Sequence, residues 1–269
     1  MSGAGDAGAA AMPASWSVLQ WPGNPRVRGL LTTRVGGCSA GAYAATDGSG
    51  GMNLGAHVGD DPVAVSRNRE LLAARLAGAE PVWLEQVHGS DVADLDAWPG
   101  GSVPRADAAL LTRRGLAACV LVADCLPVLL AAPDARGVAA AHAGWRGLSG
   151  GVLEHAAAAL ARRAGCDAAQ LQAWLGPAIG PAHFEVGDEV REAFVGVDAR
   201  AASAFVPGPR HGKWMADLFE LARMRLQRAG LLRRCILGGG ICTVSNPSIY
   251  YSFRRDRVTG RQAALVWLD

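Results

Sequence analysis

The stretch 120–147, VLVADCLPVLLAAPDARGVAAAHAGWRG, constrains the fold more than any other, because its apolar runs end on residues that do chemistry. Cys125 closes the run 116–123 and His142 closes the run 137–141. With Pro133 and Asp134 marking a turn between them, the runs read as two buried strands joined by that turn. A thiol and an imidazole then stand at strand ends, where side chains from separate strands converge.

A chain of 269 residues, 50% of them hydrophobic, buries a full core. It reads as one catalytic domain over 16–269 behind a disordered tail over 1–15. That tail lacks the basic and apolar regions of a secretory leader. The longest apolar window, 116–132, is interrupted by Asp124 and Pro127 and is too short to span a bilayer. Basic and acidic residues number 26 and 24, a formal charge of +2, which leaves no field to hold nucleic acid. Six cysteines without a C-x-x-C pair fit reduced thiols in a cytoplasmic protein. The expectation is a cytoplasmic monomer with no membrane or nucleic-acid partner.

Strands are predicted over 27–33, 81–88, 92–95, 171–175, 235–237, 249–253 and 263–268. Helices are predicted over 63–77, 152–164, 188–195 and 214–229. Asp61 and Pro62 supply a cap and a first-turn proline, and Gly165 a stop. The glycine-rich run 35–60 is longer than a compact domain leaves unstructured without a task. Strands and helices mix without strict alternation, which points to an α+β architecture.

His88 also ends an apolar segment and, like His142, is followed by small residues. His88, Cys125 and His142 form a ligand set that suits zinc with one position open for water or substrate. Residue types alone carry this weakly, since a buried Cys is usually a small hydrophobe and a strand-end His a satisfied core residue.

Five blocks add to that reading: LEQVHGSDV (84–92), ADCLPVLL (123–130), HAGWRGL (142–148), WLGPAIGPAHFEVGDEV (174–190) and YSFRRD (251–256). Together they resemble the family described variously as multicopper polyphenol oxidoreductases, purine nucleoside phosphorylases and peptidoglycan editing factors. The similarity runs from TTRVGG at 32–37 to the C-terminus. It implies metal ligation by the same three residues and a four-layer α/β/β/α sandwich with mixed sheets. It also implies a zinc-dependent phosphorylase of adenosine, inosine and methylthioadenosine, with phosphate as co-substrate and adenosine deamination as a second activity. The run ATDGSGG (45–51) departs from the family pattern by its length.

Asp124 adjoins Cys125, but strand neighbours face opposite ways, so both reach one pocket only if the strand breaks, as Pro127 allows. By the same alternation Gln86 shares a face with His88, which favours it as a pocket-lining residue and leaves Glu85 undecided. Arg146, in a glycine-rich turn before a helix, serves either as an anion ligand or as half of a surface ion pair. Arg34, Asn53 and Arg254 stand where the resemblance implies substrate contact, and pinning a loop is their alternative. His57 and His183 lie in loops near the blocks.

Two rival classes use the same atoms. Two His and one Cys also resemble a blue-copper ligand set, so Cu2+ is the alternative metal, although six histidines with no H-x-H pair are too few for a multicopper oxidase. A cysteine hydrolase acting in peptidoglycan editing would make Cys125 the nucleophile and a histidine its base.

Overall fold

The apolar window 116–132, interrupted at Asp124, is two strands in two sheets. In a computed structural model, which describes residues 13–269, Leu116–Val122 belongs to a five-stranded sheet and Leu126–Ala131 to a six-stranded one. The five-stranded sheet has the order Ser17–Leu19, Val27–Leu31, Gln262–Leu268, Leu116–Val122, Glu80–Val82. The six-stranded sheet has the order Ile236–Gly238, Gln172–Leu175, Leu126–Ala131, Val138–Ala143, Ala108–Leu111, Val92–Asp94. Each sheet mixes parallel and antiparallel pairs. A small third sheet joins Glu185–Gly187, Lys213–Ala216 and Phe205–Pro207.

Alternation along the strands explains why they are apolar on both faces. Ala118 and Val120 face inward and pack with Leu129, Ala140 and Val266 between the two sheets. Ala117, Cys119 and Leu121 face outward against Leu72 of the helix Pro62–Ala73, and Leu76 beyond its end. On the other side, Val128, Leu130 and Ala141 meet Ala156, Ala157 and Leu160 of the helix Val152–Ala164 and Leu221 of the helix Leu218–Arg228. The result is the expected four-layer α/β/β/α sandwich, mixed in its sheets.

Local signals hold where they are strongest. Asp61 accepts the Val63 N–H ahead of Pro62, and Gly165 ends its helix at φ +61°. The helix Asp188–Val195 lies where it was predicted.

Four expectations need correction. The proline turn at Pro133 joins Leu126–Ala131 to Val138–Ala143, its antiparallel neighbour, and not 116–123 to 137–141, so Cys125 stands at the open end of that hairpin, just after the crossing between sheets. The predicted helix 214–229 is a strand, Lys213–Ala216, followed by a helix that begins only after Asp217 accepts the Glu220 N–H as its cap. The predicted strand 249–253 is instead a bend into the short helix Phe253–Asp256, capped by Ser252. Of the predicted strand 81–88, only the start is regular, as Glu80–Val82. The run 35–60 opens with the strand Val35–Ser39, and Asn68 pins it by bonding to Cys38 N–H, the Ser39 hydroxyl and the Gly51 and Asn53 carbonyls. Residues 1–12 of the expected tail lie outside the described residues, whereas Ser15 already hydrogen-bonds Thr33. Among the described residues no helix is long and apolar enough to cross a membrane, and all six cysteines are free.

Candidate metal centre

The chain passes from one sheet to the other through Ala123, Asp124 and Cys125, and this crossing builds the site. Asp124 takes φ +91°, which a side chain disfavours, and its buried carboxylate compensates. Oδ1 accepts the Thr243 hydroxyl at 2.6 Å, and Oδ2 accepts the Ser252 hydroxyl at 3.0 Å and the Arg254 N–H at 2.6 Å. Asp124 is thereby tied to the C-terminal loops while Cys125 faces His88 and His142.

His142 lies on Val138–Ala143 opposite Pro127 and is 3% exposed. Its Nδ1 is 2.8 Å from Asp107 Oδ1, so the ring donates there and turns Nε2 toward Cys125. His88 adopts φ +60°, and its Nε2 is 4.0 Å from Cys125 Sγ. The ligating atoms of His88, Cys125 and His142 all lie within 4.8 Å of one another.

Asp107, which sequence reasoning missed, organises both histidines. Its fully buried carboxylate accepts the backbone N–H groups of Val87, His88 and Gly89 as well as His142 Nδ1–H. Burial raises its pKa, but the His142 and backbone bonds outweigh that and hold it below the usual carboxylate range. The only sequence signal was an acidic residue opening the apolar strand Ala108–Leu111. Burial likewise pushes the Cys125 thiol up, yet the adjoining His142, through charge and hydrogen bond, and His88 bring it down to about 6. His142 is raised, because the Cys125 and Asp107 interactions exceed the cost of burial.

Gly144 supplies the room. A Cβ there would stand 2.9 Å from Cys125 Sγ and 3.2 Å from His88 Cδ2. Two imidazoles and a thiol inclined to lose its proton, around a cradle that one methyl would fill, fit a soft or borderline divalent ion.

A cavity flanks the three residues on each side. One of about 510 Å³ is lined by His57, Glu85, Gln86, Phe253 and Arg261, and one of about 250 Å³ by Trp145, Arg146, Phe184 and Arg254; both reach His88 and Cys125. Gln86 therefore borders the site, with its amide paired to Leu121 N–H and carbonyl. Glu85 borders it too, 3.7 Å from Arg105. Arg146 stacks on Trp145 at 4.5 Å, and Arg254 donates to the His183 and Glu185 carbonyls. Asp124 lines the smaller cavity, although its carboxylate is engaged as described.

Arg34 and Asn53 lie behind the cavities. Arg34 is buried, donates to the Ala44 and Pro247 carbonyls and stacks on Tyr251. Asn53 is fully buried and accepts the Arg261 N–H, holding Arg261, just ahead of the strand Gln262–Leu268, at the larger cavity. Arg261 was missed because it stands in no local motif, and Phe253 because, within the block YSFRRD, only Arg254 was singled out. His57 reaches the larger cavity, where burial, with Arg261 and Arg69 nearby, lowers its pKa. His183 instead bonds Ser245.

Known proteins share this arrangement of chain. Purine nucleoside phosphorylase PA4543 of Pseudomonas aeruginosa is 48% identical over 255 residues, covering 95% of this chain and 99% of the relative. Purine nucleoside phosphorylase YfiH of Escherichia coli is 47% identical over 253 residues, covering 93% and 98%. The crystal structure of Neisseria meningitidis protein NMB0706 superposes with a TM-score of 0.86 at 43% identity, covering 95% of this chain and 99% of that one. Residues 28–269 match the family described as multi-copper polyphenol oxidoreductase laccase, and the chain belongs to that family.

Proposed function

We propose that the chain is a zinc-dependent purine nucleoside phosphorylase acting on adenosine, inosine and methylthioadenosine. The observation that carries this reading is a His–Cys–His donor set reached by two cavities, one lined by His57, Glu85, Gln86 and Phe253 and the other by Arg146 and Arg254. The names of the Pseudomonas and Escherichia relatives support it. The larger cavity takes the nucleoside, its purine against the exposed Phe253 ring and its polar edge toward Glu85, Gln86 and His57. Phosphate lies in the smaller one, where Arg146 is in no ion pair with a described residue. Arg254 orients there with one nitrogen held by the His183 and Glu185 carbonyls.

With substrates so placed, a phosphate oxygen forms a bond to the anomeric carbon as the bond to purine N9 breaks. The purine leaves with that electron pair, and the proton of the phosphate monoanion ends on the base. When bound to His88, Cys125 and His142, the ion supplies a positive charge that polarises a substrate atom. Asp124 and Asn53 act by positioning Cys125 and Arg261, and Arg34 by fixing the loop at Ala44. Adenosine deamination belongs to the same proposal, and ammonia release from adenosine without phosphate tests it.

A second reading has one observation in its favour. Cys125, His142 and Asp107 line up as nucleophile, base and orienting acid, the order a cysteine hydrolase uses. Metal analysis with phosphate-dependent release of adenine or hypoxanthine separates the two. The phosphorylase loses activity on chelation, regains it with zinc and is inactive as Cys125→Ala. Activity that survives chelators and dies on alkylation identifies the hydrolase. Absence of phosphate dependence with every purine nucleoside overturns the phosphorylase.

A further inference from the structure

A third cavity, of about 580 Å³, shares Trp145, Arg146, Phe184 and Arg254 with the smaller cavity beside the metal ligands. Its walls carry five cationic side chains, Arg146, Arg210, Lys213, Arg254 and Arg257, against the two carboxylates of Glu185 and Glu189. Arg210 is paired with Glu185. Neither Lys213 nor Arg257 forms an ion pair among the described residues. Arg257 is held at φ +61° at the end of the helix Phe253–Asp256, with its guanidinium 5.8 Å from the Phe253 ring centroid. Phe253 also lines both cavities that meet at the metal ligands.

This trough holds more positive charge than one orthophosphate, served by Arg146 and Arg254, requires. Uncompensated cations lining a concavity concentrate anions and strengthen their binding. The trough reaches the place proposed for the nucleoside through the smaller cavity, which shares Trp145, Arg146, Phe184 and Arg254 with the trough and His88, Cys125 and Phe253 with the larger cavity, so the anion and the base can belong to one molecule.

We propose that the trough is an anion subsite for the 5′-phosphate groups of a purine nucleotide whose base and ribose occupy the cavities at the metal ligands. The proposal rests on the nucleoside reading of those cavities. The nucleotide competes with adenosine for the site, and Lys213 and Arg257 bind its outer phosphate without touching the reacting atoms.

The test is calorimetric titration of the full-length zinc-loaded protein with ADP, adenosine and inorganic pyrophosphate, for wild type and the Lys213→Gln, Arg257→Gln double variant. ADP is expected to bind about tenfold tighter than adenosine at low salt, with the advantage shrinking as salt screens the charges. In the double variant that advantage falls to about twofold or less, while adenosine affinity and phosphate-dependent base release stay at wild-type values. An ADP affinity equal to that of adenosine, or unchanged in the variant, overturns the subsite. Pyrophosphate binding as tightly as ADP overturns the nucleotide as its ligand. Tight, charge-dependent ADP binding without any base release from adenosine retains the subsite and overturns the phosphorylase instead.

Discussion

His142 Nδ1 and Asp107 Oδ1 lie 2.8 Å apart in a buried pair, and the same carboxylate accepts three backbone N–H groups around His88. One acid thus sets the ring orientation of one ligand and the backbone of another. Asp107→Asn removes the charge and offers an amide where four donors converge, so zinc affinity should fall about 10- to 100-fold, as other losses behind a metal-bound histidine do. Asp107→Ala leaves those donors without an acceptor and should cost about 3–5 kcal/mol of folding stability. Chelator competition measures the first and urea unfolding the second.

Gly144 tests the cradle without altering any ligand. In Gly144→Ala the new methyl meets Cys125 Sγ at 2.9 Å, closer than real contacts allow. The thiol or the His88 ring must move, so metal affinity and base release should drop at least tenfold, with a folding cost of about 1–3 kcal/mol for overpacking. Wild-type metal affinity in that variant would show that the donor atoms do not converge there.

Asp124 predicts a stability effect larger than its single position suggests. Asp124→Ala removes the acceptor for Thr243, Ser252 and the Arg254 N–H and leaves a side chain at φ +91°. Unfolding free energy should fall by about 3–5 kcal/mol. Asp124→Gly relieves the backbone but not the bonds, so it should recover only about 1 kcal/mol of that.

Asp96 makes folding sensitive to acid. Burial works to raise its pKa, but bonds from Thr112 and the nearby Arg163 and Arg113 win and lower it. A carboxyl depressed in the folded state stabilises it above the unfolded value of about 4, and that stability is lost as pH falls through the folded value. The midpoint temperature of wild type should therefore drop more steeply below about pH 4 than that of Asp96→Asn. Parallel acid limbs for the two proteins would remove Asp96 from the account.

Arg146 separates phosphate binding from nucleoside binding. Arg146→Ala should raise the KM for phosphate about tenfold or more while leaving the nucleoside KM and metal content near wild type. Its side chain contacts Trp145 alone among the described partners, and its backbone bonds to Ser149 and Gly150 survive the substitution, so the fold should be unaffected. Equal rises in both KM values would place Arg146 outside the phosphate site.

What the chain determined by itself is whatever depends on neighbours in sequence. The helix Val152–Ala164 with Gly165, the cap at Asp61 and the strand Gln262–Leu268 rest on periodicity and capping, which act within a few residues. The triad His88, Cys125 and His142 was legible from residue types and from the blocks around them, and the structure brings these three together. Tertiary structure alone decided that the window 116–132 divides between two sheets. Asp124 and Pro127 mark a break, but both halves are apolar throughout, so no periodicity assigns them to different sheets, and the break is stabilised by Thr243 and Ser252 from more than a hundred residues away. For the same reason Asp107 and Arg261 were invisible as site residues, and Phe253, although inside the block YSFRRD, was not marked as facing the site. A buried carboxylate is stable only where distant donors converge on it, and that convergence exists only once the sheets have packed.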